Sequence, residues 1–467
     1  MSLFPLPAID SAIQPPAASV ASPAARAVKE REGIGVWGMP SALSLLDQGL
    51  TAGAGFGLNL LLARRMPAVA YGAFAVAYSG YLFVSGFHNA LLLEPMSVMG
   101  PSRHAKGLPA YFRAQIGLHA SLVGGLSFLA LMTSVMVHWL SRGSPLAGPM
   151  LGGAVALPFL LLLWLARRMC YVVERPALAV VGSGTYALLA LGMLAGLGHA
   201  GRLNPLTAFV ATGAASAIAA GLLLWRLGLG APSPSEELKH SRLGVFLENW
   251  SYGHWLTLTT FLSWISVQAQ VLLAASLLGL TSAGILRAMQ LPALAMSQVI
   301  AASMQIVLPS ISRELGKGDF ERLHRKVAFT SGFLTVVGCV FVAVLTLFSS
   351  AAEHFFYGGK YQTYAWLIPV LALAPVFTGF SSGFSYALRA LGKSRYELLA
   401  YVFSALTALV TSVVLMPWWG VAGGATSVVA STAVLAAAVY FSYQQWGIPG
   451  RSSQIRAGEE MRGNSES

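Results

Sequence analysis

The chain has 467 residues, 56% hydrophobic and only 10% charged, with a mean hydropathy of +0.67. Soluble domains carry about 25% charged residues, so a water-soluble enzyme is excluded and lipid is the natural solvent for most of this chain. Its 29 Lys and Arg against 17 Asp and Glu leave a charge of +12, which in a membrane protein reports cationic cytosolic loops rather than a nucleic-acid partner.

Residues 1–38 read as a disordered cytosolic tail. They are rich in Pro, Ala and Ser and lack the basic start and apolar run of a signal peptide. Arg26, Lys29 and Arg31 stand just before the first apolar stretch. Twelve stretches of about 20 residues follow, each long enough to cross a bilayer. Their centres lie near Thr51, Ser79, Leu126, Ala156, Leu188, Ser216, Leu262, Ala295, Gly338, Ala374, Leu406 and Ala430. Gly143-Ser-Pro145, Asn204-Pro205 and Pro417-Trp-Trp-Gly420 mark turns between them. Residues 447–467 read as a second polar, disordered cytosolic tail. The expected fold is an all-α polytopic membrane protein with about twelve transmembrane helices.

With a cytosolic N-terminus, 23 of the 29 cations fall in cytosolic segments, five fall outside, and Arg287 alone lies within a span. That bias supports both the span count and the orientation. The longest central cytosolic stretch carries Pro232, Ser233, Pro234, Ser235, Glu236 and Glu237. It makes residues 229–245 a linker between a six-helix bundle at 39–228 and another at 246–446. An even number of spans returns the second half in the same orientation, which predicts two bundles related by a pseudo-two-fold axis along the membrane normal, with a cavity between them. A trace of the repeat survives: Asn59-Leu-Leu-Leu-Ala63 with Ala70-Tyr-Gly72 matches Gln270-Val-Leu-Leu-Ala274 with Ser282-Ala-Gly284, with one residue of slippage.

Several motifs carry a resemblance. A polar-marked first helix from Ser44 to Arg64 runs into Tyr71-Gly-Ala-Phe-Ala75, and Leu93-Glu-Pro-Met96 ends the second span. The second half adds Tyr386-Ala-Leu-Arg-Ala-Leu-Gly-Lys-Ser-Arg395 and Trp419-Gly-Val-Ala-Gly-Gly-Ala-Thr426. From about Ser41 to Tyr443 the chain resembles the polysaccharide transporters and O-antigen flippases of the multidrug, oligosaccharidyl-lipid and polysaccharide flippase superfamily. The resemblance implies a two-bundle transporter that moves lipid-linked sugars across the bacterial plasma membrane by alternating access. The implied partners are a lipid-linked oligosaccharide, membrane lipids, a polysaccharide polymerase and a chain-length regulator.

A charged group at mid-bilayer costs roughly 2.5–3.5 kcal/mol on insertion scales, so polar residues within spans point to a cavity or a partner. In the eighth span Arg287, Gln290, Gln298 and Gln305 fall within about 80° of one another at 100° per residue. That stripe reads as a cavity wall with Arg287 meeting an anionic headgroup, or as interhelical glutamine bonding with Arg287 near the interface. In the second span Tyr71, Tyr78, Tyr81, Ser85, His88 and Asn89 share a face suited to sugar rings, although Tyr71 equally suits an interface anchor. Asn59 and Gln268 extend the candidate cavity from the first and seventh spans. Asp47 is either an ion-coupling site or a carboxylate paired with a loop cation near the cytosolic interface. Arg167, Arg168 and Arg389 are candidates for a pyrophosphate vestibule, because guanidinium pairs bidentately with phosphate, against plain positive-inside anchoring.

There is no nucleotide-binding GxxxxGK[ST], no HExxH and no CxxC in the sequence, so no cofactor, metal or covalent chemistry is expected. Cys170 and Cys339 form no disulfide framework. Two other functions stay open: a cation-coupled multidrug exporter of the same fold, which needs an acidic cavity, and a membrane-embedded glycan polymerase or ligase, which usually carries a large extracytosolic loop.

Overall fold

The computed structural model describes residues 35–141, 143–229, 242–317 and 319–447, except for the side chains of 35–41, 305, 306 and 309. Both expected tails, except residues 35–38 and 447, and most of the expected linker lie outside the described residues, and so does the side chain of Gln305. Every described element is helical: α1 (Gly35–Arg65), α2 (Ala68–His88), α3 (Glu94–Arg103), α4 (Leu108–Leu140), α5 (Ala147–Val172), α6 (Pro176–His199), α7 (Pro205–Arg226), α8 (Arg242–Leu277), α9 (Leu280–Lys317), α10 (Phe320–Leu347), α11 (Ser349–Tyr357), α12 (Leu367–Ala390), α13 (Ser394–Trp419) and α14 (Val421–Trp446).

Each of the twelve expected centres falls inside a long helix. Eleven helical segments are long and apolar enough to cross a membrane. The exception is α1, which is long enough at 31 residues but carries Asp47, Gln48, Asn59 and four glycines from Gly49 to Gly57. Helices α3 and α11 are short additions that the twelve-span reading did not contain.

Local chemistry sets the helix ends. Asn204 accepts a hydrogen bond from Thr207 N at 3.0 Å while Thr207 Oγ1 accepts from Asn204 N, a reciprocal cap with Pro205 at the first helical position. Between α2 and α3 the helix widens into a π turn over Asn89–Leu93. Pro95 lacks the N–H that would bond the Leu91 carbonyl, and the widened turn accommodates the gap. Gly358 ends α11 at φ +69°, a left-handed cap that glycine takes without penalty.

The packing repeats between halves. In the first, α1 packs on α6, α5 on α7, α4 on α5 and α6 on α7; in the second, α8 packs on α13, α12 on α14, α10 on α12 and α13 on α14. These are equivalent pairs in span order, so the two six-helix lobes share one topology. Helix α2 crosses to α8 and α9, and α9 also reaches α1. Gly72 and Gly284, equivalent in the sequence repeat, lie at this crossing. A Cβ at Gly72 would overlap the Leu280 carbonyl, and one at Gly284 would overlap the Ala68 carbonyl. Such reciprocal contact is what a two-fold relation produces.

Candidate functional site

The seam between the lobes has three parts. At the end holding the α1–α2 turn, Lys360 Nζ donates to Ala63 O at 2.8 Å and to Met66 O, and the Tyr361 hydroxyl donates to Ala63 O at 3.3 Å. Phe56 and Phe356 meet edge to face at 6.0 Å. At mid-height, Ser79 Oγ donates to Gln268 Oε1 at 3.3 Å and Trp264 Nε1 donates to Ser79 O at 3.0 Å. Toward the Arg103 end, Gln115 and Asn249 exchange two amide hydrogen bonds of 3.3 and 3.1 Å. Glu248 there accepts from Arg103 at 3.0 Å and pairs with His104 at 2.9 Å.

Arg287 lies in the mid-seam. It is 6% exposed, and its guanidinium stands 5.7 Å from the centre of the Tyr78 ring. Tyr71, fully buried, is its other aromatic neighbour. No carboxylate among the described residues pairs with Arg287. Tyr78 stacks on Phe74 and meets Tyr81 at a tilt of 34°, and Tyr81 accepts from Trp164 Nε1 at 3.1 Å. Asn59, Tyr78, Tyr81, Tyr186 and Thr212 line a cavity of about 40 Å³ inside the first lobe, room for little more than water. Asn59 accepts from the Tyr71 hydroxyl at 3.4 Å. Of the expected cavity residues, Asn59, Tyr78 and Tyr81 line this small cavity, Arg287 stands over the Tyr78 ring, and Gln268 bonds Ser79, the next residue on α2.

The eighth-span stripe does not stay in one environment. Gln290 is buried beside Arg287, whereas Gln298 is exposed. His88 and Asn89 also leave the region. His88 is buried against His119 with ring nitrogens 3.0 Å apart, and Asn89 sits in the π turn near Glu94 and Arg168.

The three expected vestibule arginines are separate and each has a carboxylate. Arg167 donates to Asp47 at 2.6 Å, Arg168 stands 3.7 Å from Glu94, and Arg389 grips both Glu397 oxygens at 2.6 Å. Arg167 and Arg389 occupy equivalent ends of α5 and α12, so each lobe neutralises its own arginine.

Asp47 is completely buried, and its partner is a helical residue rather than a loop cation. Besides Arg167 it accepts from the Tyr171 hydroxyl at 2.7 Å and from Ser183 Oγ at 2.5 Å. Both oxygens are therefore filled. Sequence reasoning missed Tyr171, Ser183, Tyr186, Glu397 and Glu353. Only Glu397 had a sequence signal, since it stands eight positions after Arg389 across a helix break.

A family model described as polysaccharide biosynthesis protein matches residues 190–365. Among curated proteins none matches. An inward-facing multidrug resistance MATE transporter of the MOP superfamily shares the fold with a TM-score of 0.66 at 12% identity, over 88% of this chain and 96% of that one. The lipid II flippase MurJ, in an inward closed conformation, gives 0.66 at 13% identity over 87% of each chain. A MOP transporter from Pyrococcus furiosus gives 0.57 at 12% identity, over 87% of this chain and 93% of that one. The chain is thus a multi-pass membrane protein that shares the fold of these transporters along nearly its whole length, and its residues 190–365 are similar to polysaccharide biosynthesis proteins.

Proposed function

We propose that this protein flips a polyprenyl-pyrophosphate-linked oligosaccharide, an O-antigen or exopolysaccharide repeat unit, across the bacterial plasma membrane by alternating access, with both termini cytosolic. The observation that carries the reading is Arg287, a buried cation at the lobe seam without a carboxylate partner among the described residues. A buried charge is costly unless it is paired, and a pyrophosphate supplies the pair while Tyr78 and Tyr81 offer faces to sugar rings. The tail stays in the bilayer, and the lobes rock about the Gly72–Gly284 crossing. A polysaccharide polymerase and a chain-length regulator are the proposed downstream partners. A cationic drug fits less well, because Asp47 is already neutralised by Arg167 and Arg287 leaves the seam positive.

The test is Arg287→Ala in a strain that depends on the protein, at matched membrane levels. Loss of a charge-assisted hydrogen bond is worth about 1.5–3 kcal/mol, so surface polysaccharide should fall about tenfold or more while lipid-linked units accumulate on the cytosolic side. Arg287→Lys should restore part of the loss, since it keeps charge without the bidentate fork. Unchanged surface polysaccharide in the Ala variant overturns the reading.

A further inference from the structure

The second lobe carries a cavity of about 420 Å³ at the same end as the α1–α2 turn, against about 40 Å³ for the cavity at Tyr78. Three connections build it. The α8–α9 turn supplies Ser282, the strap that joins α10 to α12 supplies Thr363, Tyr364 and Trp366, and the α13–α14 turn supplies Trp419 and Gly420. Its floor is the buried apolar edge of the lobe at Leu367 and Val421. Gly420 turns the chain at φ +57° and ψ −133°, a conformation that glycine takes far more readily than other residues, and a Cβ there would meet nothing within 4 Å.

The strap is held on both sides. Glu353 of α11 accepts from Tyr361 N at 2.7 Å, the Tyr361 hydroxyl reaches Ala63 O of α1, and the Tyr357 hydroxyl donates to Ala288 O of α9 at 2.5 Å. Tyr364 and Trp366 therefore stand on a fixed piece of chain. None of the lining residues is charged, so neither a phosphate nor a cation finds a counter-charge among them. Trp366 and Trp419 are 53% and 59% exposed. The side chains of Thr363, Tyr364, Trp366 and Trp419 make no hydrogen bond with another described residue, which leaves two hydroxyls and two indole N–H groups for a ligand. An uncharged molecule with apolar faces and a hydroxylated edge satisfies rings and donors together, and that is the chemistry of a pyranose ring. The volume lies in the roughly 300–1,000 Å³ range of small-molecule sites, which gives room for a short glycan. Tryptophans at helix ends also anchor in lipid headgroups. Here, however, the two rings come from separate connections and share one cavity with hydroxyl groups.

We propose that this cavity binds an uncharged sugar on the extracytosolic face and receives the glycan end of the cargo. The assignment of side and cargo rests on the transporter reading, in which a cytosolic N-terminus puts the α1–α2 turn outside. Ser282 stands five residues before Arg287 on α9, about 7.5 Å of helix rise. A pyrophosphate at Arg287 therefore leaves its sugars close to the cavity. Trp366 and Trp419 cover the apolar faces of a ring, while Thr363 and Tyr364 bond its hydroxyls. A glycan held there is disfavoured from returning through the seam.

The test uses the full chain in lipid nanodiscs, with the methyl glycosides of glucose, galactose, mannose and N-acetylglucosamine as probes and empty nanodiscs as the blank. Saturation-transfer NMR should show transfer from the protein to ring C–H protons of at least one glycoside. Binding should weaken about fivefold or more in Trp366→Ala and in Trp419→Ala, each of which removes one aromatic face, and less in Thr363→Val. Both tryptophans are exposed, so the variants should melt with the parent chain. Trp418→Ala, which removes an 83% exposed ring outside the cavity lining, should bind as the parent does, and so should Arg287→Ala. No transfer to any glycoside, or transfer unchanged in both Trp366→Ala and Trp419→Ala, overturns the proposal. Displacement of the glycosides by dihexanoylphosphatidylcholine also overturns it, by marking a lipid-headgroup site. If the glycosides bind as expected but Arg287→Ala leaves surface polysaccharide intact, the cargo assignment fails and the sugar site stands. If Arg287→Ala abolishes surface polysaccharide but no glycoside binds, the sugar site fails and the cargo assignment stands.

Discussion

Gly72 of α2 and Gly284 of α9 meet backbone to backbone where the lobes cross, and each would collide with the opposite lobe's main chain if it carried a single methyl group. A Cβ on Gly72 would stand 3.0 Å from Gly284 N, and one on Gly284 would stand 2.9 Å from Gly72 N. The crossing is therefore as close as helices can approach, and it sits next to Arg287 on the same helix.

Gly72→Ala or Gly284→Ala should each prevent the seam from closing at this end. The opposing atoms are backbone and cannot swing aside, so the cost should reach or exceed the usual 1–3 kcal/mol of overpacking. Thermal unfolding in detergent should show a lower midpoint for both variants. Gly49→Ala, where a Cβ meets nothing within 4 Å, should leave it unchanged.

The Asp47–Arg167 pair should behave as a structural unit. Asp47→Asn or Arg167→Gln alone leaves an uncompensated buried charge, worth about 3–5 kcal/mol of destabilisation. The double variant should recover most of that. Melting curves for the three variants check the non-additivity, and a double variant as unstable as the worse single one would refute it.

Arg389→Ala should cost more than its partial exposure implies. Its side chain is 47% exposed, but that of Glu397 is only 4% exposed and would keep only the Ser385 hydroxyl as a partner. About 1–3 kcal/mol is expected for the orphaned acceptor, and Arg389→Ala with Glu397→Gln should regain most of it. If Arg389 served a substrate vestibule instead, the double variant would regain stability without regaining surface polysaccharide.

The Gln115–Asn249 amide pair fixes the seam toward the Arg103 end. Asn249→Ala leaves the fully buried Gln115 amide short of its partner, at about 1–3 kcal/mol. Amide hydrogen exchange across α4 and α8 should rise together in this variant, since the pair joins the lobes rather than one helix to itself.

Much of the fold was legible from residues alone. Lipid demands long apolar helices with internally satisfied backbones, so span number follows from composition. The repeat around Gly72 and Gly284 was also visible, because a close crossing restricts both copies to glycine. Even Arg287 stood out, as the only cation within a span.

What each polar side chain touches was decided by tertiary packing. Periodicity places Arg287, Gln290 and Gln298 on one face of α9, but the neighbouring helices bury Arg287 and Gln290 and leave Gln298 exposed. Asp47 and Arg167 were read as two separate sites and are one ion pair, because α1 and α5 both pack on α6, which brings their side chains together. Glu353 lay in a stretch that reads as a polar connection between spans, and only the folding of the strap onto both lobes buries it. The reason is the same in each case: hydropathy and helical period act along one helix at a time, whereas the partner of a buried charge depends on the crossing and register of two.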